Sequence, residues 1–239
     1  IDTAEMYGAG EAERIVGAAL ARAASPPRTQ LCIVSKVLPT NASRRGTVKA
    51  CEASLSRLGC EYLDLYLLHW RGRYELRETL EGFAELQRRG LIRHFGVSNF
   101  DVDDLEEWRA AEKALGLMST ARCNQVHYAL SARGAEYDLL PWQRRHGIET
   151  MAYSPLGTGA LAHHPVLIEI ARARGATAAQ VALAWTLRFP RIVTIPKSSH
   201  PKRLEENLGA DSIRLSDAEL ARLDQAFPPP RGKQSLATV

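Results

Sequence analysis

Six short apolar runs recur along this chain, and each closes on a polar residue or a tyrosine at a spacing that one supersecondary unit explains. Leu31 to Val34 closes on Ser35 and Lys36, Leu63 to Leu68 on His69, and Ile92 to Val97 on Ser98 and Asn99. A run around Arg122 ends at Gln125, Glu149 to Ala152 closes on Tyr153 and Ser154, and Ile192 to Ile195 on Pro196 and Lys197. The residues Lys36, His69, Ser98, Gln125, Tyr153 and Lys197 stand 33, 29, 27, 28 and 44 residues apart, which is the length of a βα unit. Helical patterns fill the gaps. Ile15, Val16, Ala19 and Leu20 predict a helix over Gly10 to Ala23 with those residues inward, ended by Pro26 and Pro27. Val48, Cys51, Leu55 and Leu58 predict a second helix running to Gly59, and Leu76, Leu80 and Phe83 a third, stopped near Gly90. Asp101 opens a fourth with Val102, Leu105 and Trp108 inward, and Tyr137 to Arg145 forms a fifth. Thr177 with Gln180, and Ser216 with Glu219, have capping-box spacing and start two more.

Strand and helix alternation, with strands apolar on both faces, predicts parallel strands. A closed (β/α)₈ barrel keeps its chemistry at the carboxyl ends of its strands, which is where the polar residues fall. An open doubly wound sheet competes, but no Gly-x-Gly-x-x-Gly follows any strand. At 239 residues, 45% of them hydrophobic, one domain over 1–239 is expected. Seven strands are counted only if Ile1-Asp2 is the end of one, so a barrel would lack its first strand. A net charge of +4, spread without like-charge blocks, argues against a nucleic-acid groove or membrane patch. With no apolar run of ~20 residues and no secretion leader, the chain reads as soluble and cytoplasmic. Cys32, in an apolar run, and Cys51, on an apolar helix face, read as small buried thiols, and neither metal nor disulfide is expected from the four cysteines.

The wording of several stretches is more specific than their spacing. Ile1-Asp2-Thr3-Ala4-Glu5-Met6-Tyr7, Ser35-Lys36-Val37, Leu68-His69-Trp70, Gly96-Val97-Ser98-Asn99-Phe100 and Ile195-Pro196-Lys197-Ser198, in that order, resemble the aldo-keto reductases, barrel enzymes that reduce carbonyls with NADPH. The resemblance covers the whole chain. It implies a (β/α)₈ barrel whose first βα unit and most of whose second strand precede Ile1, so the sequence looks like a fragment. The stretches Leu63 to Trp70 and Gly96 to Phe100 look closest to bacterial reductases of small aldehydes such as methylglyoxal.

Reduction of a carbonyl by hydride leaves negative charge on oxygen, so a proton donor must stand beside that oxygen. Tyr7 is the candidate. A free tyrosine has a pKa of ~10, and a neighbouring ammonium would stabilise its phenolate. Lys36 can supply that ammonium, Asp2 can pair with Lys36 and hold it charged, and His69 can orient the substrate oxygen. Singly, each has a plainer role: Asp2 a turn cap, Tyr7 a surface aromatic, Lys36 a solvated cation, His69 a core histidine. Together they match the tetrad of the resembled family residue for residue.

The resemblance also assigns Ser98, Asn99 and Gln125 to the nicotinamide carboxamide, Tyr153 to stacking on its ring, and Ser154, Leu156 and Thr158 to the loop crossing the pyrophosphate, where Gly157 and Gly159 permit the bend. Lys197, Ser198 and Arg203 flank Pro201, which can open a helix whose free N–H groups favour a phosphate, and this favours NADPH. His200 stands where a small hydroxyl residue is often found. Glu206 and Asn207 match the pair that holds the adenine, and Trp70 a substrate-pocket aromatic. The expectation is an enzyme acting as a monomer on a small-molecule carbonyl. Two rivals stay open: a Schiff-base aldolase barrel using Lys36, and a cofactor-binding regulatory or inactive member.

Overall fold

The computed structural model describes residues 1–22, 26–117 and 119–238. The chain divides into two compact units, Ile1–Asn124 and Gln125–Val239.

In the first unit, strands β1 (Val34–Val37), β2 (Leu63–Leu68) and β3 (Ile92–Ser98) alternate with helices α1 (Glu11–Leu20), α2 (Arg44–Leu58), α3 (Leu76–Arg88) and α4 (Val102–Ala114). β1 pairs parallel with β2, Val37 opposite Leu68, and β2 pairs parallel with β3, Leu68 opposite Val97. Because parallel strands in register end at one level, the residues that follow Val37, Leu68 and Val97 emerge together at a single carboxyl edge. That register brings His69 and Ser98 to one level, with Lys36 two residues below them on β1. Ile1-Asp2 is not a full strand here: Asp2 forms one parallel bridge to Val34, with Thr3 N–H donating to the Val34 carbonyl at 2.9 Å.

The helices are set by their ends. Ser43 caps α2 by accepting from Gly46 N–H at 3.1 Å, and Gly59, at φ 63°, stops it in the left-handed conformation where a side chain would be strained. Asp101 and Asp104 close a reciprocal capping box at the start of α4. Beneath the helices, Phe83 stacks on Phe95 with centroids 5.4 Å apart, and Trp108 meets Phe100 edge-on. Such aromatic pairs add ~1 kcal/mol each beyond their buried area. Gly96 lies where β3 passes the next strand closely: a Cβ there would stand 2.3 Å from the Cys123 carbonyl oxygen.

α1 departs from its hydrophobic pattern. Ile15, expected inward, is 63% exposed, while Glu13 is completely buried. The Glu13 carboxylate accepts from Arg57 Nε at 2.5 Å and from Ser35 Oγ at 2.6 Å. A buried charge is tolerated only when paired and hydrogen-bonded, so these bonds set the rotation of α1 against its apolar residues. The helix ends at Leu20, short of the expected extension: Ala21 and Arg22 leave it in a turn and a bend, and Ala23 lies outside the described residues. Cys32 corrects a second expectation. It precedes β1 and is exposed, whereas Cys51 is buried as read and its thiol is pushed far up by burial.

β4 (Cys123–His127) carries the division between the units. The second unit then holds α5 (Leu139–His146), β5 (Glu149–Tyr153), α6 (Pro165–Arg174), α7 (Ala178–Thr186), β6 (Ile192–Thr194), α8 (Pro201–Leu208) and α9 (Asp217–Ala226). β5 and β6 are parallel, with Ala152 opposite Thr194. The strand order in the sheet, β1 to β6, is that of the chain, as expected of a parallel α/β fold. Thr177–Gln180 and Ser216–Glu219 form the capping boxes read from the sequence. α6 has no counterpart in the sequence reading; it occupies part of the 44-residue interval before Lys197. Glu136 organises the loop before α5, accepting from Tyr128 Oη, both ends of Arg133 and Arg188 Nη2. No helix among the described residues is long and apolar enough to cross a membrane.

Candidate active site

Lys36 lies in β1 with its side chain wholly buried. Its Nζ donates to Asp2 Oδ2 at 2.7 Å, to the Thr3 carbonyl at 2.9 Å and to Tyr7 Oη at 3.2 Å. An ammonium has three hydrogens, so all three are engaged and the group is held at a fixed point. Tyr7 opens a short 3₁₀ turn, Tyr7–Gly10, in which Gly8, Ala9 and Gly10 have φ of 58°, 52° and 89°. Three left-handed residues in a row swing the chain away immediately after Tyr7, which is itself 36% exposed. The phenol therefore meets both a buried cation and open space.

His69 follows β2 and is buried. Its ring meets the Tyr7 ring edge-on, centroids 5.7 Å apart, and the Trp70 ring at 4.8 Å. Burial, and then the positive charge of Lys36, lower its pKa to about 4, so the imidazole is neutral near neutral pH. Its Nδ1 is buried without a hydrogen-bond partner among the described residues. Trp70 is 38% exposed. Asn99, at φ 58°, donates from Nδ2 to the His69 carbonyl and to Ser98 Oγ, both at 3.2 Å. The ends of β2 and β3 are thereby tied to each other.

In the second unit, Gln125 is buried in β4 with Nε2 2.8 Å from Met151 Sδ, and Tyr153 stacks on His127, centroids 5.4 Å apart and planes 15° from parallel. Beyond β5 the chain enters the left-handed region at Ser154, and again at Gly157, Thr158 and Gly159, whose φ values are 55°, 55° and 100°. Leu156 precedes the 3₁₀ segment Gly157–His163. Ser198 Oγ accepts from His200 N–H at 3.1 Å just before Pro201 opens α8. Lys197 and Arg203 are exposed there, and neither is in an ion pair among the described residues. Glu206 and Asn207 sit half-buried later in α8, where the Glu206 carbonyl accepts from Gln180 Nε2 at 2.8 Å.

Asp2, Tyr7, Lys36 and His69, read from three strand ends, are thus brought together, with Asn99 fastened to the last of them. The second-unit residues fall around the end of β5 and the start of α8. Two participants were missed from sequence: the Thr3 carbonyl and the pair of Glu13 with Arg57 behind Ser35. The first is main chain and leaves no trace in a side-chain pattern.

Residues 1–227 match the model of the aldo/keto reductase family. The whole chain aligns at 44% identity with 83% of methylglyoxal reductase YeaE from Escherichia coli (strain K12). Glyoxal reductase from Bacillus subtilis (strain 168) is 35% identical over 94% of this chain and 77% of its own length. Among solved structures, an aldo-keto reductase from Klebsiella pneumoniae in complex with NADPH superposes with a TM-score of 0.93 at 44% identity, covering all of this chain and 83% of that one. On sequence and backbone alike, the chain belongs to the aldo/keto reductase family and is an oxidoreductase.

Proposed function

We propose that this protein reduces small aldehydes and ketones to alcohols with NADPH, and that Tyr7 is the proton donor. The observation carrying the reading is the short path from Asp2 through Lys36 to the phenol oxygen of Tyr7, at 2.7 and 3.2 Å. NADPH, when bound, supplies the hydride. Tyr7 gives its proton to the carbonyl oxygen as negative charge develops there, and the phenolate left behind faces the Lys36 ammonium. Asp2 keeps that ammonium oriented. His69, neutral by virtue of its lowered pKa, aligns the carbonyl without competing as an acid, and Trp70 forms a wall for the substrate.

Cofactor residues are proposed in the second unit and at the end of β3. Ser98, Asn99 and Gln125 are offered to the carboxamide, and Tyr153 to the nicotinamide ring. The loop Ser154, Leu156 and Thr158 is offered to the pyrophosphate, Lys197, Ser198 and Arg203 to the 2′-phosphate, and Glu206 and Asn207 to the adenine. Two observations fit that group. Consecutive left-handed residues at Gly157 to Gly159 expose main chain where a pyrophosphate would lie, and Lys197 and Arg203 are exposed cations without ion-pair partners among the described residues at a helix start.

Two finer points belong to the same proposal. The parallel strands are part of a (β/α)₈ barrel, a reading supported by the strand order and by the superposition on the related Klebsiella chain. The substrate class is a small 2-oxoaldehyde, by analogy with what YeaE and the Bacillus enzyme are named for. A Schiff-base role for Lys36 is disfavoured by the engagement of all three Nζ hydrogens, because imine formation needs a free amine. The experiment is NADPH consumption with a panel of small aldehydes by the wild type and by Tyr7→Phe. Full turnover in Tyr7→Phe would remove Tyr7 from the donor role.

A further inference from the structure

Glu5 lies two residues before Tyr7, and its carboxylate is turned away from the phenol toward the segment that follows β1. A single oxygen, Oε1, accepts from Leu38 N–H at 2.7 Å and from Asn41 Nδ2 at 3.0 Å. Leu38 is two residues past Lys36, and Asn41 ends the short 3₁₀ turn Pro39–Asn41. One side chain therefore clamps the loop that carries Tyr7 to the loop that leaves Lys36. The clamp extends one loop further by close packing. A Cβ on Gly72 would stand 2.4 Å from the Cβ of Pro39, so the segment after His69 and Trp70 can rest against this turn only because residue 72 has no side chain.

We infer that Glu5 is a positioning residue: it sets the distance between the Tyr7 phenol and the Lys36 ammonium by joining the two loops that bear them. The inference rests on the proposed roles of Tyr7 and Lys36. Lys36 is fixed from both sides by β1, whereas Tyr7 sits on a left-handed turn with no strand to hold it. Backbone pairing with β1 stops at Thr3, four residues short of Tyr7, whose own N–H bonds only within the turn, to the Ala4 carbonyl at 3.1 Å. Glu5 is the next side-chain tether to the segment after β1, and both its bonds fall on one oxygen, so an amide oxygen in its place can accept them too. Misplacement of a reacting group by about 1 Å can cost on the order of 10²-fold in rate.

The test compares Glu5→Ala, Glu5→Gln and Tyr7→Phe in steady-state NADPH-dependent reduction of a small aldehyde, with circular dichroism and thermal melts alongside. Glu5→Ala is expected to keep its fold and lose roughly 10- to 100-fold in kcat, with KM for the aldehyde changed little. Glu5→Gln keeps an acceptor oxygen at the same place and is expected within about threefold of wild type in kcat, the same rate scale. Wild-type kcat in Glu5→Ala, or a Gln variant as slow as the Ala variant, would overturn the inference. If Glu5→Ala does not fold, Asn41→Ala removes one of the two bonds and must itself lower kcat, unchanged kcat counting against the clamp. An inactive Tyr7→Phe beside a fully active Glu5→Ala would fail the Glu5 inference alone, and a fully active Tyr7→Phe would fail the reading beneath it.

Discussion

The ammonium of Lys36 stands 3.2 Å from the phenol oxygen of Tyr7, across 29 residues of sequence. Asp2 closes the other side at 2.7 Å. Removing the cation breaks the ion pair of a largely buried carboxylate, a change that typically costs ~3–5 kcal/mol when burial is complete. Lys36→Met is expected to lose turnover by at least ~10³-fold and to cost about 3 kcal/mol of stability, near the lower bound because Asp2 keeps some exposure. Urea unfolding beside aldehyde reduction measures both, and a stable, inactive variant would separate the electrostatic from the structural role.

His69 gives a pH signature. Its pKa is about 4 in the fold against the ordinary 6.5, so between those values the unfolded chain binds a proton that the folded chain does not. Stability therefore rises with pH from about 4 to 6.5 and is lost as pH falls through that window. Each unit of difference is worth ~1.4 kcal/mol at most. Wild type should lose more stability than His69→Gln between pH 6.5 and 4.5, by roughly 2 kcal/mol. Equal losses would mean that the imidazole is solvated.

Arg57→Met strands Glu13 in the interior. The expected loss is ~3 kcal/mol or more, by the reasoning that an unpaired buried charge is the costly species. Adding Glu13→Gln should restore much of it, because the pair is removed as a unit. Unfolding free energies of the two single variants and the double variant form the cycle, and additive values would contradict the coupling.

At α8, Lys197→Ala with Arg203→Ala should raise KM for NADPH by roughly 10- to 100-fold, as expected for losing charge-assisted phosphate contacts, and leave KM for NADH nearly unchanged. The wild-type preference should also weaken between low and high salt, since exposed charges are screened. Equal effects on both cofactors would move the phosphate site elsewhere.

Much of this architecture was legible because its determinants are local. Helices α2 and α4 announce themselves by Gly59 and Asp101, the boxes at Thr177 and Ser216 by spacing alone, and β2 by a run bounded with Gly59 and His69. That Asp2, Lys36 and His69 lie close together was legible for another reason: they stand at or beside strand ends, and a parallel register brings strand ends together whatever lies between, whereas Tyr7 is carried by the turn beyond. α1 failed because its orientation is decided by a bond from Glu13 to Arg57, 44 residues away, and no periodicity within the helix carries that information. Cys32 failed likewise, as the apolar run holding it begins before the paired residues of β1 do. α6 was passed over because its alanine- and arginine-rich face gives a weak amphipathic pattern.

Gly96 brings out a property of the signature stretch Gly96 to Phe100. With 2.3 Å between a would-be methyl and the Cys123 carbonyl, even alanine would have to prise adjacent chains apart at that level. The position is barred to mutational drift for reasons of clearance, whatever molecule the enzyme turns over.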